Sequence, residues 1–164
     1  EALANVSPAP EFHFIGGLQS RKVRALMGRV SLIHSVDRIR LLQEIDRHAG
    51  EHGMVQDVLL EVNTGGEETK SGCAQEELPG LLDAAASFRS IRVLGLMAIP
   101  PWDPDPEAAR PHFQALRRLR DTHAPRLPEL SMGMSHDLEV AVEEGATLVR
   151  VGTALFGSRS PGVP

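Results

Sequence analysis

Six times along the chain a short β-rich run gives way to a segment with helical spacing, and that alternation leaves few folds open. Residues 11–15, 30–36, 57–62, 91–99, 130–132 and 147–151 read as strands. Between them, helices are predicted over 20–28, over 76–88 and over 137–144. Asp37 is placed as the cap of a further helix with Ile39, Leu42, Ile45 and Ala49 on its apolar face. Another helix carries Phe113, Leu116 and Leu119. Strands alternating with helices require parallel pairing through right-handed crossovers. Nearly continuous apolar strands such as DVLLEV fit a sheet buried on both faces. An open doubly wound sheet and a (β/α)8 barrel both satisfy this pattern. No linker, repeat or low-complexity stretch divides residues 1–164, which read as a single domain.

Composition removes several function classes. The net charge of −5 is spread over interspersed acids and bases, so no nucleic-acid surface or basic membrane patch is expected. A single cysteine, Cys73, excludes an internal disulfide framework and fits a reducing cytoplasm. No apolar run approaches the roughly 20 residues that span a bilayer. The segment Glu1-Ala2-Leu3-Ala4 lacks the features of a signal peptide and also an initiator methionine. The sequence is therefore expected to begin after processing or inside a longer coding region.

In parallel α/β folds ligands meet the carboxyl ends of the strands, so chemistry is sought there. The last two strand ends, Ser131-Met132-Gly133-Met134-Ser135 and Arg150-Val151-Gly152-Thr153, each place glycine and a hydroxyl at a strand-to-helix turn. Such turns let backbone N–H groups approach an anion, and they equally describe ordinary tight βα turns. Alternation puts Leu148 and Arg150 on the strand face opposite Val149. A guanidinium inside an apolar strand needs an anion or a strong acceptor. The candidates are a ligand or a structural ion pair with a glutamate such as Glu61. His13 and His34 read as core or rim histidines, Cys73 as a bland thiol, Trp102 as a loop residue over the barrel mouth or a partner contact, and Glu67 and Glu68 as a solvated loop. Metal and nucleotide motifs are absent, so no metal site is expected.

Several stretches together resemble a known family. They are Phe12-His13-Phe14-Ile15-Gly16 with Leu18-Gln19-Ser20-Arg21-Lys22, the loop from Asn63 to Lys70-Ser71-Gly72, Gly95-Leu96-Met97-Ala98-Ile99-Pro100, Leu130 to Glu139, and Val149 to Gly157. In this order they are similar to motifs of the pyridoxal phosphate homeostasis proteins, also called the YggS or PROSC proteins. The resemblance implies a (β/α)8 TIM barrel of the alanine racemase N-terminal type that binds pyridoxal 5′-phosphate. It implies a non-catalytic carrier or regulator of vitamin B6 and amino-acid balance rather than an enzyme. Carried over residue by residue, Ser135, Gly152 and Thr153 match positions that hold the phosphate. Arg150 matches the arginine facing the pyridine nitrogen, and Met134 is placed in the same pocket.

The chain departs from that pattern at its start. The family opens with two further βα units, the first ending in the Schiff-base lysine and the second carrying a "GENxxQE" element, and neither is found here. Only Lys22 and Lys70 are lysines, and both match other motifs. Gly17 stands for a usual proline and His136 for a usual acidic residue. The expectation is thus an incomplete barrel of six βα units binding the cofactor non-covalently at best. Its edge strands would be open, so the chain is expected to be marginally stable alone or to pair with another copy or a further segment. A racemase-like amino-acid isomerase fragment is the competing reading, and it needs a lysine on the first strand that this sequence does not supply.

Overall fold

The fold follows from where the apolar residues fall along each strand. The computed structural model describes residues 9–67 and 70–157. Six strands, β1 (His13–Phe14), β2 (Leu32–Val36), β3 (Gln56–Glu61), β4 (Ile91–Met97), β5 (Glu129–Met134) and β6 (Leu148–Arg150), pair in chain order, every neighbour parallel. Sequential parallel pairing with helices between the strands is the curl of a (β/α) barrel, not the reversed order of a doubly wound sheet. Among the described residues β1 and β6 are the sheet's edges, so the sheet forms an arc of a barrel.

The helices are α1 (Ile39–Glu51), α2 (Leu78–Ala86), α3 (Arg110–His123), α4 (Leu138–Glu143) and the short α5 (Thr153–Phe156). They cover the outer face of the sheet. Ile33, Val58, Leu60, Leu96, Leu130 and Met132 from the strands meet Leu41, Leu42, Ile45, Leu78, Phe113 and Leu116 from the helices in one continuous core. The inner face holds a much smaller apolar cluster of Leu32, Leu59 and Met97, with Leu94 and Leu148 against it. The buried polar residues His34, Glu61, Ser131 and Arg150 lie beside it and form the site described below.

Two glycines are required by close approach. A Cβ at Gly95 would lie 1.9 Å from the Glu129 carbonyl oxygen, so only glycine lets β4 run this close to β5. Gly133 has φ +90°, and a Cβ there would sit 2.5 Å from Cβ of Ala141 on α4. That left-handed bend turns the chain from β5 toward the Ser135 turn.

Several boundaries differ from expectation for local reasons. The first strand is only His13–Phe14, and the expected helix over 20–28 is a 3-10 helix, Ser20–Ala25. Asp37 does not cap α1; Arg38 is the N-cap, and the Asp37 carboxylate pairs with the Arg38 guanidinium instead. Ile39 is exposed, whereas Leu42, Ile45 and Ala49 are buried as expected and Leu41 joins them in the core. The segment before α2 is a 3-10 turn, Gln75–Glu77, whose Glu77 carboxylate accepts from the Ala74 N–H. Strand β5 runs over Glu129–Met134, longer at both ends than the expected 130–132.

Candidate functional site

Strand alternation delivers an arginine, a glutamate, a serine and two histidines to the inner face. Arg150 is 8% exposed, and its guanidinium donates to Ser131 Oγ at 2.6 Å and to the Ala98 carbonyl oxygen at 2.9 Å. Ser131 Oγ lies 2.9 Å from Nδ1 of His34, and Nε2 of His34 lies 3.1 Å from Nδ1 of His13. An arginine only donates, so the serine oxygen accepts from it and its own proton is free for His34 Nδ1. With the ring in the tautomer that carries its hydrogen on Nε2, His34 takes that proton and donates to His13. Burial, with the nearby His13 and the Arg150 charge, lowers the His34 pKa to about 4, which keeps the ring neutral.

Glu61, at the end of β3, is 4% exposed on this same face. Burial pushes its carboxyl up to about 7, the Asp37 carboxylate adds to the rise, and the Arg150 charge opposes it. Of the two candidates for Arg150, the ion pair with Glu61 does not form; among the described residues Arg150 is held by the serine hydroxyl and a main-chain carbonyl. A strand carbonyl left without a ladder partner competes well for a guanidinium, and it leaves no trace in the sequence.

The two terminal turns meet. Ser135 Oγ accepts from the Gly152 N–H at 3.1 Å and from the Ala154 N–H at 3.2 Å. Thr153 follows at the first position of α5, exposed, and a Cβ on Gly152 would meet nothing within 4 Å. Ser135, Gly152, Thr153 and Arg150 are therefore brought to one end of β5 and β6. Met134 is 42% exposed at the rim, its N–H donating to Asp137 Oδ1 at 2.6 Å, beside a cavity lined by Trp102, His136 and Lys70. Trp102 is exposed and stacked on His136, a loop residue as anticipated.

The other candidates fall away from this cluster. Cys73 is buried, and burial raises its thiol to about 12, an inert state. Glu67 pairs with Lys70, whereas Glu68 lies outside the described residues. Lys22 is exposed on the 3-10 helix, and Lys70 Nζ reaches the Pro100 carbonyl oxygen at 3.4 Å. Among the described residues no group of His, Cys, Asp and Glu is placed to hold a metal, and no helix is long and apolar enough to cross a membrane. The sequence alone does not mark Ser131 and His34 as site residues. The available signal is a polar residue at the inward phase of β2, β3, β5 and β6.

An arc of six parallel βα units with an arginine turned into its concave face, and two hydroxyl-bearing turns joined at its carboxyl end, defines a barrel domain of the alanine racemase type. Residues 2–160 match the sequence model of the family described as alanine racemase, N-terminal domain. The pyridoxal phosphate homeostasis protein of Aquifex aeolicus is 56% identical over 153 residues, 91% of this chain and 67% of that protein. The one from Pseudomonas aeruginosa is 46% identical over 155 residues, 93% of this chain and 66% of that protein. The structure of PipY of Synechococcus elongatus PCC7942 with PLP bound superposes with a TM-score of 0.80 at 35% identity, covering 92% of this chain and 72% of PipY. The chain belongs to the pyridoxal phosphate homeostasis protein family, and it spans about two thirds of the length of these curated relatives.

Proposed function

We propose that this chain binds pyridoxal 5′-phosphate without a covalent bond, as a cofactor-holding part of a carrier in vitamin B6 and amino-acid homeostasis. The observation that carries this reading is the meeting of the Gly152 and Ala154 N–H groups at Ser135 Oγ, with Arg150 turned inward on the adjoining strand. In the reading, Ser135, the Gly152 amide and Thr153 hold the phosphate. The open space over Gly152 is where a phosphate oxygen approaches the backbone. Arg150 donates to the ring nitrogen through N–H groups not used by Ser131 and Ala98. Met134 covers the mouth.

When bound, the cofactor supplies an electrophilic aldehyde and an aromatic ring. A permanent donor at the ring nitrogen keeps that nitrogen unprotonated and weakens the ring as an electron sink, which suits holding the cofactor better than broad catalysis. A racemase-like activity needs a lysine at the ring and a second acid/base group facing it. The chain's two lysines, Lys22 and Lys70, sit on the 3-10 helix and on the loop after β3. The arginine donor at the ring nitrogen is what favours the carrier reading. The same reading places it in the cytoplasm and includes self-association of copies.

Calorimetric titration tests this directly. Pyridoxal phosphate should bind in competition with inorganic phosphate, and borohydride should leave no adduct that depends on Arg150. Arg150→Ala combined with Thr153→Ala should weaken binding at least about tenfold, the loss of two charge-assisted contacts. Binding that is indifferent to phosphate, or to the double substitution, sinks the assignment.

A further inference from the structure

The polar ladder His13–His34–Ser131–Arg150 crosses the inner face from β1 to β6, and three of its members have no part in the phosphate site. We propose that Ser131 and His34 are positioning residues for Arg150, fixing its guanidinium in one plane and one direction so that its free N–H groups face the ligand. The proposal rests on the reading of Arg150 as the ring-nitrogen donor and extends it to two residues that touch no ligand.

The geometry carries the argument. Two acceptors on different segments, Ser131 Oγ at 2.6 Å and the Ala98 carbonyl at 2.9 Å, engage two different guanidinium nitrogens. Two such N–H directions define the plane of the fork, whereas one would leave it free to swing. The carbonyl is fixed by the backbone just after β4, but a hydroxyl is not fixed by itself. Its proton rotates, and a serine that donated toward Arg150 would repel it. His34 removes that freedom, because its Nδ1 at 2.9 Å takes the hydroxyl proton and leaves the lone pairs toward Arg150. This works only while Nδ1 is unprotonated. In that tautomer the hydrogen sits on Nε2, 3.1 Å from Nδ1 of His13, which accepts it at the exposed end of the ladder. Both His34 and Ser131 are buried, at 2% and 0% exposure, so water does not take over either contact. Every bond in the ladder then points the same way, from guanidinium to hydroxyl on one side and from hydroxyl and imidazole toward β1 on the other.

A ladder of fixed polarity also sets specificity. The guanidinium can only donate, and its acceptors are already within the protein. The ligand edge it meets must therefore be an acceptor. An unprotonated aromatic nitrogen qualifies, and the same ring methylated on nitrogen does not.

The experiment is nuclear magnetic resonance on the chain, followed by titration. In the unsubstituted chain the His34 nitrogen shifts should report Nδ1 without hydrogen and Nε2 with it. Arg150 should show separate, slowly exchanging Nη signals. Ser131→Ala and His34→Leu should merge those signals. His34→Asn, whose side-chain oxygen can take the place of Nδ1, should keep them apart. With pyridoxal phosphate, Ser131→Ala and His34→Leu should weaken binding about tenfold and shift the pH profile of the bound cofactor's absorption. His34→Asn should stay within about threefold of the unsubstituted chain, and affinity for inorganic phosphate should not change in any of them. A His34 ring carrying its hydrogen on Nδ1 overturns the proposal without any variant being made. So does a guanidinium that stays fixed in Ser131→Ala, or a His34→Asn chain as loose as His34→Leu. If pyridoxal phosphate does not bind at all, the functional reading fails, and the two ligand-free measurements still decide this one.

Discussion

Glu61 and His34 bury ionisable groups on one face of the sheet, and folding perturbs them in opposite directions. Burial pushes the Glu61 carboxyl up to about 7, while burial, His13 and Arg150 lower the His34 ring to about 4. For Glu61 the folded chain binds the proton more tightly than the unfolded chain, so its contribution is present at low pH and is lost as pH rises from about 4.5 to 7. For His34 the unfolded chain binds the proton more tightly, so its contribution is present above about 6.5 and is lost as pH falls to about 4. The two slopes cancel across their shared window. Each is worth on the order of 3 kcal/mol in full. Glu61→Gln should therefore uncover a stability that climbs with pH between 4 and 6.5, and His34→Asn one that falls between 4.5 and 7, both read from urea midpoints. Equal flatness in the two variants would show that neither group is perturbed. Of these residues the sequence made Arg150 legible, because a two-residue period assigns it a face. Its partners were not legible. Ser131 and His34 stand 97 positions apart, and the Ala98 carbonyl is backbone, the same chemistry at every residue.

Among the elements, β4 and β5 depend most on a single position. Gly95 pairs with Glu129 in the ladder, and a side chain there would run into the Glu129 carbonyl. Gly95→Ala must separate the two strands locally or bend one of them. A cost of roughly 3 kcal/mol is expected, at the upper end for overpacking, visible as a lower denaturation midpoint. Because Ser131 and the Ala98 carbonyl lie just beyond this pair on β5 and β4, the same substitution should also weaken cofactor binding. Gly80→Ala, on the exposed face of α2 where an added Cβ meets nothing, serves as the neutral comparison and should stabilise slightly. Unchanged stability in Gly95→Ala would mean the strands are looser than the ladder indicates. The order of these elements was legible because apolar period alone separates strand from helix here. Their ends were less so. Asp37 has the right chemistry to cap a helix, yet Arg38 beside it takes its carboxylate, and the helix starts without a side-chain cap. Where an ion pair and a cap compete for one carboxylate, composition does not decide.

At the scale of the molecule the two faces of the sheet are unequally held. The outer face carries the continuous core, while among the described residues the inner face buries the small cluster Leu32, Leu59 and Met97, beside a polar ladder. The last unit is the least supported. Strand β6 has three residues and α5 has four, and Val149, Leu155 and Phe156 are exposed there. A ligand that bridges Ser135, Gly152, Thr153 and Arg150 would tie this unit to β5, so its binding energy should appear as stability of the whole. At about a hundred times the dissociation constant, the gain by mass action is about 2.7 kcal/mol. For a chain of this size that corresponds to a rise of roughly 5–11 °C in melting temperature. Pyridoxine 5′-phosphate, which keeps the ring nitrogen and phosphate but lacks the aldehyde, should give most of the same rise, separating the site from lysine labelling. Amide exchange should slow first over residues 148–157 and at the Ser135 turn, because those N–H groups close only when the unit is docked. The Arg150→Ala, Thr153→Ala chain should show neither effect. A rise that survives in that double variant, or protection spread evenly over α1 to α3, would place the ligand elsewhere on the barrel.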